Sequence, residues 1–340
     1  MRSAVVLLVA AFAASSAGAA APGRLPGVPA FKTCAAAGAF WPTETLAVSG
    51  ATGWLACKEE SRVVKLDLEN VGLREEEMKL LKNLINLPHG IIIVTGPTGS
   101  GKTTTLYSCL NSANDIRWKI ITTEDPVEYD LDGIVQCQVN EDIKVTYASL
   151  LRSILRQDPD TILVGEVRDL ETAQIAVEAA LTGHLVFSTL HTNDAPGAIT
   201  RLLDLGVEPY LVASSVIGVI AQRLVRKLCA HCKTPYEPDD GTRHLLGMAE
   251  DEGRPIFQAV GCARCEHIGY RGRVAIMEVF KLDAEIDELI ARRATGREIR
   301  TIASARGFRT LAEDAIARVL AGQTSLEEIS RVVDLTDRVL

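Results

Sequence analysis

Aromatic residues make up only 5% of this 340-residue chain, too few for the base-stacking surfaces of single-strand nucleic-acid binders. Positive charge is no more plentiful. The 36 Lys and Arg against 44 Asp and Glu leave a net charge of −8, so bulk electrostatics does not draw the chain to nucleic acid, local basic patches aside. No apolar run approaches the roughly 20 residues that a membrane-spanning helix needs. The eight cysteines lack the scatter of a secreted disulfide framework. Four form two C-x-x-C pairs late in the chain, and Cys34, Cys57, Cys109 and Cys137 stand alone, a usage that fits a reducing compartment with one metal site. What remains is a globular mix, 47% hydrophobic and 24% charged, long enough for two or three domains.

The most informative stretch is Gly96, Pro97, Thr98, Gly99, Ser100, Gly101, Lys102, Thr103 and Thr104. The aliphatic run 91–95 before it predicts a strand buried on both faces, and 102–110, free of Gly and Pro, predicts a helix. In that context G-x-x-x-x-G-K-[ST] is a phosphate-binding loop. Its glycines permit positive φ and turn several N–H groups onto one anion. The helix N-terminus adds unpaired donors. Lys102 reaches the β- and γ-phosphates, and Thr103 offers a hydroxyl to Mg²⁺. A chance glycine-rich turn is the competing reading, and the flanking strand and helix weigh against it.

Strand and helix signals alternate from 91 to 189, predicting a parallel sheet with helices on both faces. Within it, the strand 119–123 runs into Glu124, Asp125 and Glu128, carboxylates at the strand end where open α/β sheets bind ligands; in isolation such a cluster reads as a solvated acidic turn. The strand 161–164 ends in Gly165 and Glu166, with glycine where an aspartate is usual, which makes Glu166 the candidate for orienting water or holding the Mg²⁺ water shell. His184 and His191 bracket another buried strand, either structurally, as sensors of the γ-phosphate or as a bridge to a neighbouring subunit. Helices are expected at 195–205 and 209–227, the latter carrying Arg223 and Arg226.

Cys229, Cys232, Cys262 and Cys265 supply four thiolates for a closed, structural Zn²⁺ site. The 29 residues between the pairs must loop out, and His231 is a possible replacement ligand; a disulfide or redox pair competes with zinc. A strand at 274–280 precedes four short helices, at 284–293, 297–305, 311–320 and 326–333, that read as a packing lobe.

Residues 1–57 differ from the rest. Arg2, the apolar stretch 4–14 and an Ala-x-Ala-like site read as a signal peptide, followed by an aperiodic Ala/Gly/Pro-rich stretch. Export conflicts with ATP binding, so a wrong start, frameshift or fusion is the preferred account, and a short membrane anchor the minor one. The expected division is 1–57, an ATPase core at 58–228, a zinc module at 229–275 and a helical lobe at 276–340.

Taken in order, 96–103, 124–129, 165–169, 183–193 and Gln222-Arg223-Leu224 resemble the Walker A, aspartate box, Walker B and histidine box of the secretion-superfamily hexameric ATPases. The four cysteines and Gly269-Tyr270-Arg271-Gly272-Arg273 resemble its type II secretion and type IV pilus assembly branch, rather than the retraction branch or a DNA-transfer ATPase. The resemblance covers about 58–340. It implies a RecA-like P-loop fold, ATP, Mg²⁺ and Zn²⁺ as cofactors, and a homo-hexamer on the cytoplasmic face of the inner membrane. It further implies work on a membrane platform protein, with no nucleic-acid partner. Lys102 and Thr103 would bind phosphates and Mg²⁺. Glu166 would be the Walker B acid, Glu124 and Glu128 the acidic box, and His184 and His191 the histidine pair. Measured against that resemblance, residues 1–57 are expected to stand in place of the family's arginine-bearing N-terminal domain. Arg62 and Arg74 are the only arginines near the junction, so a hydrolysis-deficient fragment that binds ATP and modulates an intact paralogue is the alternative reading.

Overall fold

The computed structural model describes residues 62–249 and 253–335, together with the backbone of three short strands earlier in the chain. The signal-like residues 1–30 lie outside the described residues. Phe31–Lys32 (β1), Thr45–Ser49 (β2), Thr52–Cys57 (β3) and Arg62–Lys65 (β4) form an antiparallel sheet in that order. Trp54 pairs with Lys65, so β3 and β4 straddle the boundary expected at 57/58.

Helix α1 (Glu75–Ile85) leads into β5 (Gly90–Thr95), and the glycine-rich loop joins β5 to α2 (Lys102–Ala113). Then come β6 (Ile120–Glu124), β7 (Ile134–Gln138), α3 (Tyr147–Ile154), β8 (Thr161–Val164), α4 (Leu170–Leu181) and β9 (Leu185–Leu190). The chain continues through α5 (Ala195–Asp204), α6 (Pro209–Ser215), β10 (Val216–Leu228), β11 (Thr234–Tyr236), α7 (Asp240–Leu246), β12 (Ile256–Gln258) and β13 (Tyr270–Lys281). It ends in α8 (Ala284–Ala291), α9 (Gly296–Ala305), α10 (Leu311–Leu320) and α11 (Leu326–Ser330).

The main sheet has seven strands in the order β13-β10-β5-β9-β8-β6-β7. All neighbours are parallel except β10 and β13. Strands β5, β8 and β9 are buried along their whole length, which is why they read as continuous aliphatic runs rather than alternating ones. Ile91 and Ile93 face a core with Ile162, Val164, Val186 and the helices α3 to α6. Ile92 and Val94 face the other core, with Leu163, Phe187, Leu81 and Leu106. The alternation puts helices on both faces, as the sequence predicts.

The helix expected at 209–227 is corrected. It stops at Ser215, and β10 continues for 13 residues between β5 and β13. Val216, Ile217, Val219, Ile220 and Val225 are β-branched, stiff at χ1 and suited to a pleated surface. Arg223 and Arg226 therefore lie on a strand. The strand β13 is longer than the predicted 274–280 and runs through residues 275 and 276, so the boundary drawn there falls inside one element.

The tail helices share the apolar core of the sheet through Ile286, Leu289, Ile299 and Ile316. Their attachment has a polar centre. Glu278 of β13, 2% exposed, accepts hydrogen bonds from Ala195 N (2.6 Å) and Leu311 N (2.8 Å), the first residues of α5 and α10. Burial pushes its carboxyl up to about 7.

Candidate functional site at the carboxyl edge of the sheet

The loop between β5 and α2 is shaped by close approach. Gly96 has φ of +146°, and a Cβ there would sit 2.3 Å from the Gln222 carbonyl oxygen, so no larger residue fits. Gln222 of β10, 1% exposed, supports the loop from below. Its Nε2 donates to Ser100 O at 2.7 Å, and its Oε1 accepts from Thr105 Oγ1 at 2.7 Å. No role for Gln222 was legible in the sequence beyond its place in a family-like tripeptide.

Lys102 Nζ donates to the carbonyls of Gly96 (2.9 Å) and Pro97 (3.2 Å). Burial lowers its pKa, opposed by the charge of Glu166. Thr103 Oγ1 donates to Glu128 Oε1 at 2.9 Å, and burial raises the Glu128 pKa. The Ser100 hydroxyl is buried without a hydrogen-bond partner, an orphan polar atom inside the loop that a phosphate group would satisfy.

Glu166, at the end of β8, accepts from Arg168 Nε at 2.7 Å and lies 3.2 Å from His191 Nε2. Arg168 reaches toward Asp125 at 3.9 Å. The glycine at 165 has a steric reason. A Cβ there would lie 2.9 Å from Thr123 O and 3.2 Å from the Tyr147 hydroxyl, so the slot an aspartate would need is filled. Thr192, beside His191, is fixed to the end of β5: Thr192 N donates to Thr95 Oγ1 at 2.8 Å.

One expected residue is not brought to this edge. His184 precedes β9, while His191 follows it. Seven residue steps separate them, about 23 Å at roughly 3.3 Å per residue. His184 Nδ1 sits 2.8 Å from Ala179 O and 3.2 Å from Thr182 Oγ1, closing the end of α4. These contacts place His184 at the edge of the sheet opposite His191. Glu124 is at the right edge but is fully engaged inside the fold. It is 4% exposed and accepts from Tyr107, Thr122 and Gln136. Arg74 is committed to Glu77 and Asp314.

The four cysteines do converge. Their Sγ atoms all lie within 4.8 Å of one another, with Cys229–Cys262 at 4.0 Å, Cys232–Cys265 at 3.7 Å and Cys262–Cys265 at 3.8 Å. A tetrahedron with Zn–S bonds of about 2.3 Å has S–S edges of about 3.8 Å, and a disulfide requires about 2.05 Å. Gly261 N and Gly269 N donate to Cys232 and Cys265 sulfur at 3.3 Å each, which favours thiolates. The long insert returns through the β11–β12 ribbon and α7. His231 is not in the quartet; its ring lies against the Arg264 guanidinium at 2.9 Å.

This sheet order, with a glycine-rich loop and three carboxylates at the edge from which α2 departs, defines an α/β protein of the P-loop class. Residues 57–331 match the family described as Type II/IV secretion system protein, and the chain belongs to that family. It is 50% identical over 277 residues to the type II secretion system ATPase E of Vibrio cholerae, covering 80% of this chain and 54% of that one. It is 48% identical over 265 residues to the type IV pilus assembly ATPase PilB of Thermus thermophilus, covering 77% and 30%. The crystal structure of the pilus retraction motor PilT with bound ADP superposes with a TM-score of 0.60 at 28% identity, covering 91% of this chain and 78% of that one. The chain spans about half the length of the type II secretion relatives it matches.

Proposed function

We propose that the chain binds Mg-ATP at residues 96–104 and hydrolyses it as a motor for type II protein secretion or type IV pilus assembly. The observation that carries this is the meeting of two pairs beside one loop, Thr103 hydrogen-bonded to Glu128 and Glu166 lying 3.2 Å from His191 Nε2, in a chain about half identical to a protein named as a type II secretion ATPase. Lys102 exchanges its two carbonyl partners for phosphate oxygens. Thr103 Oγ1 keeps its own proton and donates it to Glu128 Oε1, which would leave the hydroxyl lone pairs available to Mg²⁺. Mg²⁺, when bound, supplies Lewis-acid polarisation of the phosphates. Glu166, held by Arg168 and His191, takes the proton of the attacking water. Glu124 is a supporting residue rather than a catalytic one.

The same reading assigns the cysteine quartet a structural zinc ion. It also makes the working form a homo-hexamer attached to the cytoplasmic face of the inner membrane through a platform protein. The test is Mg-ATP hydrolysis by the full chain across protein concentrations, with Glu166→Gln as control. Turnover that rises faster than linearly with concentration and is lost in the control supports an assembled motor. ATP binding without turnover supports the alternative, a fragment that binds nucleotide and modulates an intact paralogue.

A further inference from the structure

Helix α2 and the acidic turn after β6 are joined by two rungs of the same chemistry. Thr103 donates to Glu128, and Tyr107 donates to Glu124. Both pairs are four residues apart, 103 to 107 on the helix and 124 to 128 on the turn. On α2 that spacing stacks the two donors on one face, one turn apart. The outer rung is half-buried and lies at the loop. The inner rung is sealed, with Tyr107 at 0% and Glu124 at 4% exposure.

The inner rung is the centre of a closed network. Gln136 Nε2 donates to Glu124 Oε1 at 3.0 Å and to Tyr129 O at 3.2 Å, and Gln136 Oε1 accepts from Leu131 N at 2.7 Å. Thr122 also donates to Glu124. The Tyr129 ring packs edge-on against Tyr107, centroids 4.6 Å apart. Burial and the neighbouring carboxylate raise the Tyr107 pKa, so its hydroxyl stays a donor. These contacts fix both ends of the segment 124–131 that carries Glu128.

We infer that Tyr107 is a positioning residue for the metal side of the site: acting through Glu124, it holds the acidic turn so that Glu128 meets the Thr103 hydroxyl. This rests on the reading of residues 96–104 as a Mg-ATP site. Partners that orient a metal's ligands typically cost 10- to 100-fold in metal affinity when removed.

The test is equilibrium binding of a fluorescent ATP analogue to the full chain, titrated with magnesium and repeated in EDTA. Tyr107→Phe keeps the ring and its packing; Glu124→Gln, nearly isosteric, is the second variant should the first fail to fold. The expected result is analogue affinity in EDTA within twofold of the unsubstituted chain, with the magnesium concentration for half-maximal tightening raised roughly 10- to 100-fold. The double variant should show no further rise, because the two residues act as one unit. An unchanged magnesium requirement in either folded variant, or an equal loss of affinity with and without magnesium, would overturn the inference. No tightening by magnesium in the unsubstituted chain would instead overturn the reading of the site, and the inference with it.

Discussion

Gln222 and Ser100 are joined across 122 residues of sequence by a 2.7 Å bond from a side-chain amide to a loop carbonyl. The same amide group accepts from Thr105 on the first turn and a half of α2. Gln222→Leu therefore strands a buried carbonyl and a buried hydroxyl, at a cost of roughly 1–3 kcal/mol. Denaturant unfolding should show a loss of that order, and ATP affinity should fall with it. Unchanged stability and affinity would show that the loop holds its shape without this support.

The two carboxylates at the loop have separable effects. Glu128→Gln should raise the magnesium requirement for ATP binding roughly 10- to 100-fold, whereas Glu166→Gln should leave binding intact and remove turnover. Titration calorimetry at several magnesium concentrations, beside steady-state hydrolysis, separates the two. Identical behaviour of both variants would contradict the division of roles.

His184→Ala should lower stability by about 1 kcal/mol, the worth of one hydrogen bond at a helix end, and leave ATP affinity within twofold. Thermal unfolding and analogue binding measure both. A loss of nucleotide affinity without a loss of stability would restore His184 to the site.

The cysteine quartet should carry one zinc per chain by elemental analysis. Cys262→Ser should lose the metal and lower Tm by roughly 2–4 °C for each kcal/mol lost. A metal-free preparation with the same melting curve would leave the quartet as unligated thiols.

Glu278 gives a pH dependence of defined sign. Its carboxyl is raised by burial from 4.5 to about 7. Between those values the folded chain holds a proton that the unfolded chain has released, so stability from this group falls as pH rises through the window. The full swing is on the order of 3 kcal/mol. Glu278→Gln pays a constant cost at its two N–H partners but loses the slope. Urea unfolding at about pH 5 and about pH 8 should show the variant gaining on the unsubstituted chain at the higher pH. Parallel curves would mean that Glu278 does not titrate there.

The glycine loop was legible because its spacing dictates backbone conformation as well as chemistry, and the two C-x-x-C pairs because four thiolates at knuckle spacing have few uses. Residues 216–228 were not legible in kind. A buried aliphatic run carries no periodicity that tells strand from helix, and the fact that decided it, the partner β13, lies some fifty residues on. That His184 and His191 bracket one strand already sets them at opposite edges; the parallel pairing of β9 with β5 shows that His191 is the one beside the glycine loop. Glu124 and Glu128 read as one acidic cluster; their difference comes from Tyr107 and Gln136, which a one-dimensional view does not place beside them.

Beyond Ala221, β10 leaves β5 and is paired with β13 alone. From Gln222 under the loop to Cys229 in the quartet there are seven residues, roughly 20 Å at about 3.3 Å per residue. This stretch is a two-stranded ribbon that starts under the glycine loop and is braced by the last helices: Arg226 N and Nε donate to Glu328 at 3.0 and 2.9 Å, Thr324 Oγ1 donates to Arg226 O at 2.8 Å, and Leu228 N donates to Gln323 O at 2.9 Å. A ribbon braced in this way is coupled to the tail helices, so a displacement at Gln222 would be carried to the cysteine knuckles and to those helices together rather than to a free tip.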